Sequence, residues 1–234
     1  MAGTRTTRIV GRLFRAVAIC LILAVFILLF WRMCSAGLPA AMRRLAVNDR
    51  LREAYATAGD ALVLRHQEQD SITRAPHNSG YFSIPRVVFI PEAEQVQLVL
   101  RYNKSTLSHL AEDMGLDAVP DPSGSYFDVT LLRSTDLTPE DPDDDLDPAT
   151  LSFTRFFPSG EPLRADTSLY TYLLYTFDGV TIEDLTVGIF ADVYYLGDLD
   201  YEADPYGVLC LYDDESAWVT DRLTSADRRA LRGE

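Results

Sequence analysis

The sequence contains few of the residues from which disulfide-stapled folds and zinc sites are built. Of its 234 residues, only three are cysteines and three are histidines. One cysteine lies in an apolar run, so the remaining chain cannot build a disulfide framework. The histidines have no His-x-x-x-His spacing and no Cys-x-x-Cys pair beside them, so we expect no zinc site. These six residues are Cys20, Cys34, Cys210, His66, His77 and His109.

The short motifs of common enzymes are also missing. The chain has no Gly-x-Ser-x-Gly nucleophile elbow and no glycine-rich phosphate loop. Aspartate and glutamate together number 35, so a pair of carboxylates suited to a glycosidase could be chosen almost anywhere. Because that abundance singles out no pair, we expect a protein without enzymatic activity. A secreted hydrolase is the third alternative for its function.

Lysine is nearly absent, and charge is distributed unevenly along the chain. Lys104 is the only lysine, a bias towards arginine that is typical of GC-rich bacterial genomes. No acidic residue precedes Asp49, whereas the first 44 residues hold seven arginines. The remaining residues carry 14 basic and 35 acidic groups, a net charge of −21. Such a domain repels nucleic acid and anionic lipid headgroups at long range, so we expect neither as its partner.

Residues 16–31 form the only long apolar run, and it contains no charge. We predict a transmembrane helix over residues 16–33, with Arg15 and Arg32 extending to the two interfaces and Trp31 as an interfacial anchor. Four arginines precede the run closely, which predicts a cytoplasmic N-terminus (residues 1–15) and an extracytoplasmic C-terminal domain. The partner of this segment is then the lipid bilayer of the cell membrane.

A cleaved signal peptide is the alternative interpretation of the same run. The basic start, the apolar stretch and the small residues that follow all suit one. However, the run is slightly longer than a usual signal core, and no clean Ala-x-Ala cleavage site follows it. Both interpretations send the later residues to the same compartment.

Beyond residue 38 the hydrophobic pattern first has a helical period, and past residue 60 it changes to a period of two. Residues 39–58 predict a juxtamembrane stalk helix that ends at Gly59. Residues 60–222 predict an immunoglobulin-like β-sandwich of about eight strands with a short helix inserted at 105–114. Residues 223–234 predict a short helical tail. The strands are expected at 61–66, 86–90, 95–102, 127–131, 151–157, 169–177, 185–195 and 207–212.

Two acidic stretches raise the question of calcium. Residues 136–149 contain six aspartates and three prolines, but the glycine and glutamate positions of an EF-hand loop are not filled, so we interpret this stretch as a solvated loop. A more compact series follows the longest strand and is a candidate calcium site, with an ordinary acidic hairpin loop as the alternative. Its members are Asp198, Asp200, Glu202 and Asp204.

Tyrosines provide the candidate binding surface. If Leu173, Tyr175 and Phe177 face the core, then Tyr170 and Tyr172 lie on the opposite side of their strand. Together with Tyr194 of the next strand they would form an exposed aromatic strip across a hairpin, suited to a sugar or to an apolar partner residue. The alternative is that these tyrosines only stabilise the sheet through cross-strand pairs.

The function expected from the sequence is a non-catalytic interaction or structural role at the cell envelope. The partner would be an envelope protein or a wall polymer. A carbohydrate-binding or calcium-binding extracellular module is the alternative. No cofactor is expected apart from calcium in that alternative.

Overall fold

The computed structural model describes residues 17–28, 37–67, 73–74, 81–134, 153–181, 189–211 and 218–234. The chain divides into two units, Met1–Gly37 and Leu38–Glu234. In the first unit, residues 17–28 form an α-helix, α1. No helix within the described ranges is both long and apolar enough to span a membrane. Arg15, Trp31 and Arg32, the predicted interfacial residues, lie outside the described residues.

The second unit is mainly β, as the alternating pattern predicts. Its described helices are α2 (Ala40–Arg43), α3 (Asp49–Ala58), α4 (Thr106–Asp113) and α5 (Ser225–Arg232). Its described strands are β1 (Val63–Gln67), β2 (Thr73–Arg74), β3 (Phe82–Ile90), β4 (Gln95–Asn103), β5 (Phe127–Ser134), β6 (Phe153–Phe156), β7 (Leu163–Asp166), β8 (Tyr170–Asp178), β9 (Ile189–Tyr195), β10 (Gly207–Leu211) and β11 (Trp218–Arg222).

The strands form two antiparallel sheets. The six-stranded sheet has the order β11-β1-β3-β4-β8-β7, and the five-stranded sheet has the order β2-β10-β9-β5-β6. Three of these strands, β2, β7 and β11, were not predicted. Each lies at the edge of a sheet. The side chains of β7 show no alternation between buried and exposed positions, because an edge strand need not bury one face. The inserted helix α4 is confirmed within one residue at each end, and α5 lies inside the predicted helical tail.

One hydrophobic core joins the facing sides of the two sheets. Alternate residues of β4, such as Leu98, share this core with alternate residues of β9, such as Ala191. The Phe82 ring of the six-stranded sheet meets the Phe127 ring of the other sheet edge to face, with their centroids 4.9 Å apart. The Tyr175 hydroxyl donates a hydrogen bond of 2.7 Å to the Phe127 carbonyl. The two sheets are therefore joined by packing and by a buried polar contact.

Residues 38–58 differ from the predicted stalk. They form two helices separated by an extended stretch over residues 44–48, rather than one continuous helix, and they belong to the same compact unit as the sheets. Met42 and Leu51 are fully buried. Met42 packs against Val99 and Tyr172 on the outer face of the six-stranded sheet. The prediction of a free stalk is wrong, because its apolar residues serve to cover this second face of the sheet.

Candidate functional site

A groove of about 690 Å³ lies where the loop between β6 and β7 meets the loop after β9. We call it the aromatic groove. Its walls carry three aromatic rings, an aliphatic side chain, two carboxylates and two prolines. The residues that matter for its chemistry are Asp128, Phe157, Pro158, Glu161, Leu196 and Tyr201.

The loop over residues 157–162 crosses from one sheet to the other and forms the first wall. Pro158 and Pro162 fix their own backbone φ angles and so restrict the loop. The backbone N–H of Ser159 donates a 2.7 Å bond to the Thr176 carbonyl. The Ser159 hydroxyl oxygen accepts a 3.1 Å bond from the backbone N–H of Asp178. Both bonds hold the loop against β8, so Phe157 is presented from a restrained backbone.

The chain after β9 forms the second wall. The N–H of Leu196 donates a 2.9 Å bond to the Tyr126 carbonyl, which fixes the start of this segment. The Tyr201 ring meets the Phe157 ring edge to face at 5.1 Å. Its hydroxyl donates a 2.5 Å bond to Asp128 Oδ2. Burial, and then the hydrogen bond to the Asp128 carboxylate, raise the pKa of Tyr201 to about 12. Tyr201 therefore stays a neutral donor at physiological pH.

Tyr201 rests on a buried polar cluster on the outer face of the five-stranded sheet. The Arg155 guanidinium lies 6.0 Å from the centre of the Tyr201 ring and 5.8 Å from that of Tyr194. It also donates a 2.5 Å bond to the Tyr201 carbonyl. Asp192 is only 3% exposed, and this burial raises its pKa to about 6, although the charge of Arg155 opposes the shift. Ring contacts and a charge-assisted hydrogen bond thus position Tyr201.

Exposed apolar surface and negative charge occur together at the groove. Phe157 is 51% exposed and Leu196 is 41% exposed, which are large values for side chains of this type. Asp128 and Glu161 add carboxylates to the walls. An aromatic face and nearby carboxylates are the groups that attract a cation in an apolar setting. The groove is therefore suited to a ligand that is both cationic and apolar.

The predicted calcium series lies in the same chain segment as Leu196 and Tyr201, two residues that line this groove. All four side chains are exposed and belong to the chain that runs on from Leu196. The backbone N–H of Glu202 donates a 2.9 Å bond to Asp200 Oδ1, so part of the series is engaged in its own turn. Within the described residues, no three His, Cys, Asp or Glu side chains are grouped in a way that could hold a metal ion. Asp198, Asp200, Glu202 and Asp204 are therefore not brought together as a metal site.

The tyrosine strip does not exist as predicted. Tyr172 is fully buried beneath residues 38–58, which we call the N-terminal segment. Tyr194 is 3% exposed and lies beneath Tyr201. Their strands, β8 and β9, lie in different sheets and are not hairpin neighbours. Tyr170 is half-buried against the Arg101 guanidinium, which lies 4.9 Å from its ring centre. The prediction is wrong because distant segments cover both outer faces.

Sequence reasoning missed the residues of the aromatic groove, although one signal was present. Phe156 and Phe157 are consecutive, and in a strand consecutive side chains point to opposite faces. Phe156 packs against the core, so Phe157 at the strand end projects outwards. The Pro158-Ser159-Gly160 sequence that follows is typical of a turn, but its role as a wall depends on the distant Tyr201. Comparisons with protein-family models, with curated proteins and with solved structures give no match to this chain.

Proposed function

We propose that this protein is a single-pass membrane protein whose extracytoplasmic, immunoglobulin-like β-sandwich binds a partner protein at the cell envelope. The partner presents a short segment of basic and apolar residues to the aromatic groove. The role is non-catalytic. The observation that carries this proposal is the pairing of exposed Phe157 and Leu196 with the carboxylates of Asp128 and Glu161.

The strand order supports an immunoglobulin-like domain. In that fold, strands A-B-E-D form one sheet, and strands C, F and G form the other, extended by C′ in variable-type domains. Here β3-β4-β8-β7 have the order A-B-E-D, and β10-β9-β5-β6 have the order G-F-C-C′. Strands β1 and β11 extend the first sheet beyond β3, and β2 extends the second beyond β10. Domains of this architecture commonly serve recognition at cell surfaces.

The proposed extracytoplasmic location of the domain is argued from the sequence. The uncharged run over residues 16–31 is flanked by arginines, and the cluster that precedes it favours a cytoplasmic N-terminus. This anchor would tether the domain that carries the groove to the membrane, so that its partner is another component of the cell envelope.

Charge complementarity supports a basic partner segment. The domain beyond residue 44 has a net charge of −21, and the carboxylates of Asp128 and Glu161 line the groove. Long-range attraction would steer a cationic segment towards the groove and raise the association rate. The rings of Phe157 and Tyr201 would then contact the apolar and cationic side chains at short range.

A displayed library of random peptides tests this proposal with the full-length protein in an uncharged detergent. We expect enrichment of peptides that combine arginine or lysine with an aromatic or aliphatic residue. A synthetic peptide from the enriched set should lose about tenfold or more in affinity for Phe157→Ala, because central aromatic residues dominate interface energies. Its affinity should also fall as salt is raised.

Val219→Ala is the matched control, because Val219 is 40% exposed on β11, at the opposite edge of the six-stranded sheet from β7. Equal affinity loss in both variants, or no enrichment of basic peptides, would reject the groove as the binding site. A glycan array probed in parallel tests the second candidate function, which is binding of a wall polymer. Binding of a neutral glycan that is lost in Phe157→Ala would assign the groove to a wall polymer instead.

A further inference from the structure

A second cavity, of about 300 Å³, lies between the start of the compact unit, β1, β3 and the connection from β11 to α5. We call it the arginine cavity. Three arginine side chains and one histidine surround it, which sets it apart from the acidic surface elsewhere. The residues used below are Leu38, Arg43, His66, Arg86, Arg222 and Thr224.

Arg86 is held in place by the backbone of the N-terminal segment. Its Nη1 donates to the carbonyl of Met42 at 3.3 Å and to that of Arg44 at 3.2 Å. The register between β3 and β4 shifts between Ser83 and Arg86, so the strand is irregular where this side chain leaves it. A guanidinium group has five N–H donors, and these two bonds use only one of its nitrogens.

The cavity also contains carboxylates, and neither pairs directly with an arginine. Oδ2 of Asp227 accepts bonds from the backbone N–H and the hydroxyl of Thr224, as part of the cap of α5. Asp221 is exposed, and its carboxylate lies 4.0 Å from Nδ1 of His66. Across the described part of the chain, no ion pair involves Arg43, Arg86 or Arg222.

We propose that the arginine cavity binds a phosphate group. Planar guanidinium groups match the geometry of phosphate oxygens and can donate to two of them at once. The net charge of the domain opposes the approach of an anion, as the sequence indicates. Salt screens the distant carboxylates beyond about 8 Å at physiological ionic strength, however. Within the cavity, three arginines outnumber the two carboxylates of Asp221 and Asp227.

The phosphate has two possible sources, a lipid headgroup and a soluble phosphate ester. Leu38 lines the cavity and follows Trp31, near the end of the proposed anchor, by seven residues. Seven residues span at most about 25 Å when fully extended. A headgroup of the bilayer is therefore the source that the length of the chain favours, and this part of the inference rests on the proposed membrane anchor.

Titration calorimetry on the full-length protein in an uncharged detergent tests the site. The probes are inorganic phosphate and a short-chain phosphatidylglycerol, each compared with sodium chloride at the same ionic strength. We expect binding of phosphate or of the lipid, and an affinity about tenfold lower in Arg222→Gln, because each hydrogen bond between charged groups contributes strongly. Arg43→Gln should show the same direction of change. Tighter binding of the lipid than of phosphate would assign the headgroup as the source.

Arg229→Gln is the matched control, because it removes one exposed arginine from α5 without altering the lining of the cavity. If Arg229→Gln weakens binding as much as Arg222→Gln, or if chloride reproduces the heat, the cavity is not a phosphate site. Because this titration contains no peptide and does not use the aromatic groove, its failure leaves the peptide experiment unaffected. Conversely, loss of peptide binding in Phe157→Ala says nothing about Arg222.

Discussion

The side chain of Gln97 forms two hydrogen bonds with the backbone of Ala46. Its Nε2 donates to the Ala46 carbonyl at 2.7 Å, and its Oε1 accepts from the Ala46 N–H at 2.9 Å. Gln97 is fully buried, and its Nε2 also donates a 2.8 Å bond to Oε1 of Gln95. One amide therefore binds the extended part of the N-terminal segment to the outer face of the sheet, as a neighbouring strand would.

Gln97→Ala should release this segment. The substitution leaves the N–H and the carbonyl of the half-buried Ala46 without their partner, at a cost of about 1–3 kcal/mol in the free energy of unfolding. Trypsin should then cleave after Arg43 or Arg44 faster than in the native protein, as followed by mass spectrometry. Glu112→Ala, an exposed change on α4, should leave both the stability and the cleavage rate unchanged. An unchanged cleavage rate in Gln97→Ala would contradict the role given to this amide.

Asp192 should make the protein less stable as pH rises from about 4 to about 6. Burial raises the pKa of Asp192 to about 6 from its ordinary value of 3.8, so the folded state retains a proton that the unfolded state has released. The free energy of unfolding therefore falls across this window, by up to about 3 kcal/mol, and this contribution is constant above it.

Asp192→Asn removes this titration. Urea unfolding at several pH values should show a flatter profile for the variant than for the native protein between pH 4 and 6. The variant should also be more stable at pH 7, because it no longer buries a charge. A variant that is less stable at pH 7 would show instead that attraction between Asp192 and Arg155 outweighs the desolvation of the carboxylate.

Two phenylalanines of the same region should respond differently to truncation. Phe157 is half-exposed, so Phe157→Ala should change the free energy of unfolding by no more than about 0.5–1 kcal/mol. Phe127 is 2% exposed and packs between the two sheets, so Phe127→Ala should cost about 3–5 kcal/mol. Chemical denaturation of both variants measures this difference. A large loss of stability in Phe157→Ala would mean that Phe157 serves the fold rather than a partner.

The proposed membrane topology predicts a defined labelling pattern in intact cells. A membrane-impermeant maleimide should label Ser225→Cys, because this exposed residue begins α5 in the proposed extracytoplasmic domain, and should not label Thr4→Cys. The Cys20→Ser, Cys34→Ser and Cys210→Ser changes serve as the background for both variants. The mass of the purified protein distinguishes an anchor, which is retained, from a signal peptide, which is cleaved off. Labelling of Thr4→Cys alone would reverse the proposed orientation.

Much of the β-architecture was predictable, because it depends on local alternation. The strands β4, β5, β8 and β10 lie close to their predicted positions, and the inner face of β8 was assigned correctly. The edge strands β7 and β11 were missed because their described side chains do not alternate between buried and exposed positions. The stalk and the tyrosine strip were predicted wrongly for a shared reason, since an alternating strand was assumed to have one solvent-exposed face.

The aromatic groove was not predictable from the sequence for a different reason. Its two walls come from loops around Phe157 and Tyr201, which lie more than forty residues apart in sequence. Neither loop contains a recognisable motif, and their meeting depends on how β6 and β9 are placed on either side of β5. The arginine cavity is similar, because Arg43, Arg86 and Arg222 come from three distant parts of the chain.

The sequence by itself determined the features that depend on neighbouring residues. These are the period of two in the strands, the helix end at Gly59, where the backbone φ is positive at 59°, and the capped start of α5 at Thr224. It also determined the separation of a basic apolar start from an acidic domain. Only the tertiary structure decided which sheet faces are covered and where charges gather. The contact between Ala46 and Gln97 crosses 51 residues of sequence, and no local pattern specifies such a pairing. It forms because the apolar outer face of the sheet must be shielded from water, and the N-terminal segment is the part of the chain that covers it.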